Sequence, residues 1–119
     1  MRGGRVHFFD GARRVAGLAA QRTETLLERS RGLLGRDPLA AGDGLLITPC
    51  NAVHTFGMGY PIDLVYVARD RRVRKIVSGL RPRRLSWCPG AHAVLELAAG
   101  AAARLQLNEG LRMEWCDHA

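Results

Sequence analysis

IDLVYVAR, residues 62–69, carries apolar side chains at both parities once Asp63 is passed. A strand exposed on one face would alternate apolar with polar residues, so this run predicts a strand buried on both faces at the centre of a sheet. The residues that feed it, CNAVHTFGMGYP (50–61), gather Cys50, Asn51, His54, Thr55 and Met58 around Gly57, Gly59 and Pro61. Glycine freedom and proline rigidity predict a tight local structure, here crowded with groups able to bond, ligate or titrate. Loops beside a rigid strand are where scaffolds present function, so a site is expected in this segment. It contains no complete catalytic triad, phosphate loop or unambiguous metal motif.

Working downstream, Asp70, Arg71 and Arg72 make a turn, and residues 73–78 (VRKIVS) return as a more exposed partner strand. Arg69, Arg71, Arg72, Arg74 and Lys75 then crowd one hairpin tip, as expected of a solvated edge that resists sheet-to-sheet pairing. Residues 79–90, GLRPRRLSWCPG, lack a regular pattern and predict a surface loop able to fold back over a neighbouring site. Residues 93–97 predict a strand with Glu96 on the face of Val94, residues 100–107 about one or two helical turns, and residues 111–116 a last strand before a frayed tail at 117–119.

Upstream, residues 5–9 and 13–20 flank Asp10-Gly11, a strong hairpin signal. From Thr23 the period changes. Leu26, Leu27, Leu33 and Leu34 share one helical face, Thr23 or Thr25 can cap it, and Glu28 stands in the capping-box position to Thr25. Gly32 or Gly35 can stop this helix, whose expected task is to cover an open face of the sheet. Gly42, Asp43 and Gly44 form a turn into a strand over 45–48. The class predicted is mainly β, a compact antiparallel sandwich or barrel-like sheet of about six to eight short strands with one or two short helices. The alternative is α+β, with a helix packed on one sheet.

The 119 residues are 47% hydrophobic, which predicts a single globular domain over 1–119 with one buried core. Net charge is +7 and the pI about 10.6. Of the 18 basic residues only Lys75 is not arginine, and with abundant Ala, Gly and Leu this reads as the bias of a GC-rich genome. A nucleic-acid-binding basic protein stays an alternative, although a basic pI alone is a weak signal for it. Three cysteines close no disulfide framework, no apolar leader follows Met1, and no stretch approaches a membrane span. The expectation is a soluble, cytoplasmic protein without membrane insertion.

Cys50 and His54 form one C-x3-H pair and Cys88 and His92 a second, together a full tetrahedral donor set for zinc. The spacing is not diagnostic, because residues four apart in a strand or loop need not face the same way. No cofactor is expected, with zinc possible on that tetrad and a Cys50–Cys88 disulfide possible under oxidising conditions. A thiol-based hydrolase would use Cys50 or Cys88 with His54 oriented by Asp63 and a donor from Thr55. The plainer reading is architectural: Asp63 accepts amides of the preceding turn, the His54 imidazole pins that turn, and Met58 fills core.

The pieces GLLGR (32–36), GLLITPC (44–50), VHTFGMGYPIDLVYV (53–67), LRP with the following arginines (80–84) and VLELAAG (94–100) resemble the bacterial and archaeal family called domain of unknown function 192. The resemblance implies a compact β-rich domain and no activity. Its motif falls here on His54, Thr55, Met58, Pro61, Asp63, Pro82, Arg84, Glu96 and Gly100. Two departures stand out: many relatives look exported, and an aromatic expected between Pro82 and Arg84 is Arg83.

The function expected is therefore a small binding or accessory domain rather than an enzyme. Its ligand or contact site lies at residues 54–63 and the 81–88 loop, with His54, Thr55, Met58, Asp63, Arg84 and Glu96 as candidate ligand-binding residues and no catalytic residue named. The expected partner is a small anionic ligand or a protein, with Arg84 able to pair an anion bidentately.

Overall fold

The structure is a computed structural model that describes residues 1–33 and 35–118. The strand expected from 62–69 is β5, Ile62–Val67, and every one of its residues is buried. It is paired on both sides, with β6 (Val73–Leu80) and β8 (Ala93–Ala98). Alternation along it splits the core in two. Val65 and Val67 enter one apolar cluster with Leu95, Leu97 and Leu46, while Ile62, Leu64 and Tyr66 enter another with Val94, Leu45 and Ile47.

Seven strands form one sheet in the order β6, β5, β8, β3 (Asp43–Ile47), β2 (Arg13–Arg22), β1 (Arg2–Asp10) and β9 (Arg112–Asp117). β5 is thus an interior strand but not the middle one. The β1–β2 hairpin turns at Gly11, whose φ of 60° is the left-handed conformation glycine tolerates. The two margins meet at one end, where Val73 donates to the Leu111 carbonyl and Met113 to that of Arg71. The sheet therefore curls without closing into a barrel.

Three details differ from expectation. Nine strands form among the described residues, not six to eight. One pair, β2 with β3, is parallel. The loop expected at 79–90 contains β7 (Leu85–Trp87), which pairs with β4 (Ala52–His54) in a separate two-stranded sheet. The α+β alternative is not adopted, since both helices are short.

The parallel pair explains how the site is roofed. Parallel neighbours need a crossover of about a dozen residues or more, and residues 23–42 supply it, carrying α1 (Leu26–Arg31) and laying Leu33 and Leu39 on the second cluster. α1 is not the amphipathic cover predicted. Leu26 and Leu27 are 69% and 78% exposed, because the helix stops at Gly32 and the face they were to share with residue 33 never forms. Leu34, assigned to that face, and Ala119, assigned to the tail, lie outside the described residues.

With no buried side chain, α1 depends on its cap. Thr25 Oγ1 accepts from the Glu28 amide at 3.1 Å and Glu28 Oε1 accepts from the Thr25 amide at 3.3 Å, the capping box read from the sequence. Thr25→Ala is expected to lower stability by about 1 kcal/mol, visible as a lower urea midpoint at unchanged slope.

Candidate functional site

The second cluster is interrupted by one charged group. Glu96 follows Val94 on β8, lies between Leu45 and Leu64 in register, and is 2% exposed. A backbone hydrogen bond from Leu33 reaches its carboxyl group, but Oε1 has no partner among the described residues. Burial pushes its pKa up to about 7, with the Leu33 amide and the Arg36 charge pulling the other way.

Glu96 borders a cavity of about 60 Å³. Its walls come from the crossover (Arg29, Arg31, Gly32, Leu33), from Ile47 at the end of β3 and Cys50 beyond it, from β4 with His54, and from Met58. Gly32 is needed here: its φ is 52°, and a Cβ would stand 3.1 Å from Glu96 Oε1 and 3.3 Å from Ile47 Cδ1. The cavity exceeds the room one water needs and falls far below a drug-sized pocket of about 300 Å³ or more. Leu33 also borders a wider cleft of about 410 Å³, walled by Gly3, Ala19, Gln21 and Asp43, which holds none of the candidate residues.

His54, Met58 and Glu96 thus meet at one cavity, and Asp63 does not join them. In β5 it sits opposite Leu97, on the other face of the sheet from Glu96. There it is fully buried and accepts three amides, from Gly79 at 2.8 Å and from Gly100 and Ala102 at 3.0 Å each. Its architectural role holds, but the donors come from β6 and the start of α2 (Ala101–Arg104), not from the preceding turn.

Thr55, not the exposed His54, does the pinning. Its Oγ1 donates to the Arg81 carbonyl at 2.6 Å and accepts from the Arg84 amide at 2.9 Å, while its own amide donates to the Arg84 carbonyl. Thr55→Val keeps the shape and strands both groups, an expected loss of roughly 2 kcal/mol. Hydrogen exchange at Arg84 is expected to accelerate in that variant relative to the β5 amides. Tyr66 Oη donates to Ser86 Oγ at 3.0 Å and Lys75 Nζ to the Trp87 carbonyl at 3.0 Å, tying the small sheet to the large one.

So held, the small sheet turns Leu85 and Trp87 outward and leaves His54, at the border of the Glu96 cavity, exposed as well. Leu85 and Trp87 are 64% and 62% exposed, and the half-exposed Phe56 ring lies 6.1 Å from that of His54. Arg81, Arg83 and Arg84 are exposed beside this patch. The Arg84 guanidinium donates to the Arg83 carbonyl, and none of the three makes an ion pair among the described residues.

The zinc tetrad is not assembled. Among the described residues no three His, Cys, Asp or Glu side chains are placed to hold a metal ion. Cys50 Sγ is turned to the Ala52 carbonyl at 3.1 Å, Cys88 is buried in the core, His54 is exposed at the border of the Glu96 cavity, and His92 lines clefts beside Thr48 and Arg69. Backbone bonds do align the two segments, Cys50 donating to His92 and Cys88 to Asn51, without bringing the four side chains together as a metal site among the described residues. All three cysteines are free. Burial raises the Cys50 pKa, with its hydrogen bond to Ala52 opposing, so the thiol lacks the depressed pKa of a nucleophile.

From the sequence, Gly32 and Leu33 take helix roles only, and Arg29 and Phe56 take no role in the site. The GLLGR piece of the family resemblance (32–36) is the signal that points to Gly32 and Leu33. No helix among the described residues is long and apolar enough to cross a membrane.

The family model for domain of unknown function 192, described as an uncharacterized ACR, matches residues 9–115. Two crystal structures are similar. One is a protein of unknown function from Novosphingobium aromaticivorans, 27% identical, with 93% of this chain and 84% of that chain covered and a TM-score of 0.82. The other, from Sinorhizobium meliloti and provisionally described as a transcription regulator, is 24% identical, with 95% and 93% covered and a TM-score of 0.83. Among curated proteins none matches significantly.

Proposed function

Because the chain belongs to the family of domain of unknown function 192, which carries no assigned reaction, we propose that it works as a binding domain whose contact face is the outer side of the β4–β7 sheet. The observation that carries this reading is the joint exposure of Leu85, Trp87 and Phe56 on a scaffold pinned by Thr55, Tyr66 and Lys75. Large apolar side chains presented together on rigid backbone are the anchors of protein contacts.

Charge complementarity selects the partner. Residues 50–62 and 79–95, which build this face, include no Asp or Glu, while Arg81, Arg83 and Arg84 stand beside it with no ion pair among the described residues. The partner is an acidic protein segment with an aromatic or aliphatic anchor: the anchor seats against Trp87 and Leu85 and its carboxylates meet the arginines.

Selection of a displayed random peptide library on the wild-type protein tests this. The expected pool is enriched in Asp and Glu around a Leu or aromatic residue, loses binding to a Leu85→Ser, Trp87→Ser variant that keeps its fold, and weakens with salt. A pool without acidic enrichment, or one that binds the double variant equally well, overturns the reading. Tighter binding of single-stranded poly(U) than of any selected peptide, lost in the same variant, would reassign the face to nucleic acid.

A further inference from the structure

We propose that the cavity at Glu96 is a second site, separate from the β4–β7 face, and that it takes a small zwitterion of the α-amino-acid class, its ammonium on Glu96 Oε1 and its carboxylate toward Arg29. Three observations carry this. A carboxylate oxygen that is buried and unpartnered is an expensive feature, normally matched by a donor, a water or a cation. Here that oxygen belongs to a residue bordering a void with room for a few heavy atoms. Gly32, in a backbone conformation side chains rarely adopt, keeps the space beside Oε1 open.

The second charge fixes the ligand class. Arg29 and Arg31 both line the same cavity from α1, and Arg29 is part-buried and makes no ion pair among the described residues. The Cys50 thiol, another wall, feels both charges in opposite senses, Glu96 raising its pKa and Arg29 lowering it. A simple cation would suit Glu96 and be repelled by Arg29, and a simple anion the reverse. A guest with both charges a few bonds apart satisfies each. Met58 and Ile47 supply apolar wall in the same cavity, so a methylene or methyl is accommodated. The volume excludes larger side chains, which restricts the guest to glycine or alanine size.

The test is a set of amide NMR titrations at pH 8 with glycine, methylammonium, acetate and leucine at matched ionic strength. Glycine is expected to give saturable shifts at Gly32, Val53 and Met58, methylammonium to bind about tenfold more weakly, and acetate and leucine to give no saturable shift. Glu96→Gln is expected to abolish glycine binding, and Arg29→Ala to reduce it to the level of methylammonium. Both variants are checked for fold by unperturbed β1–β2 resonances. Absence of saturable glycine shifts in the wild type, acetate binding as well as glycine, or glycine binding unchanged in either variant overturns the proposal. Because the peptide-binding assay reads Leu85 and Trp87, failure here leaves that result independent.

Discussion

Asp63→Ala is expected to destabilise the protein by roughly 3–5 kcal/mol, the range found when one member of a buried charged network is removed. The carboxylate is wholly buried and divides its acceptance, Oδ1 taking the Gly79 amide and Oδ2 those of Gly100 and Ala102. Those three amides belong to the end of β6 and the entry to α2, so one side chain holds together elements far apart in sequence. Alanine leaves all three donors without an acceptor in a site closed to water. Asparagine retains one oxygen and must point its NH2 group at an amide, so Asp63→Asn is expected to lose about half as much. Urea denaturation of the two variants separates the cases. A loss below about 1 kcal/mol for alanine would mean that water replaces the carboxylate and that the anchor is dispensable.

How much of this could be read in advance depended on whether a feature was local. The parity of residues 62–67 is a property of consecutive side chains, and it correctly predicted burial on both faces. The Thr25–Glu28 cap is likewise local, and both its bonds form. β7 was missed because Leu85, Ser86 and Trp87 lie in a proline-flanked stretch and are too few to display a period; they become a strand by pairing with β4. The helix face containing Leu26 and Leu27 was drawn through Gly32, where the chain in fact leaves the helix. Site geometry suffered most. Asp63 and Glu96 both belong to buried strands, but their opposite facing follows from the β5–β8 register, which pairs Leu64 with Glu96 and Asp63 with Leu97. No feature near either residue encodes that register.

The register also makes Glu96 the source of the largest expected pH effect. Its pKa is raised from 4.5 to about 7, chiefly by burial, and the Leu33 amide and Arg36 offset only part of that. Below pH 4.5 the group is protonated in both folded and unfolded chains and carries no charge penalty. Between 4.5 and 7 the unfolded chain ionises while the folded one keeps its proton, so stability falls as pH rises through this window. Above 7 the folded group ionises too, and the loss levels off at roughly 3 kcal/mol. Other groups also contribute to the pH dependence of the wild type, so its curve alone does not isolate Glu96. The decisive quantity is the stability difference between Glu96→Gln and wild type at pH 8, minus the same difference at pH 4. It is expected to favour glutamine by roughly 3 kcal/mol. A value within about 0.5 kcal/mol of zero would mean that Glu96 is as well solvated folded as unfolded, and the cavity beside it would then be an extension of solvent.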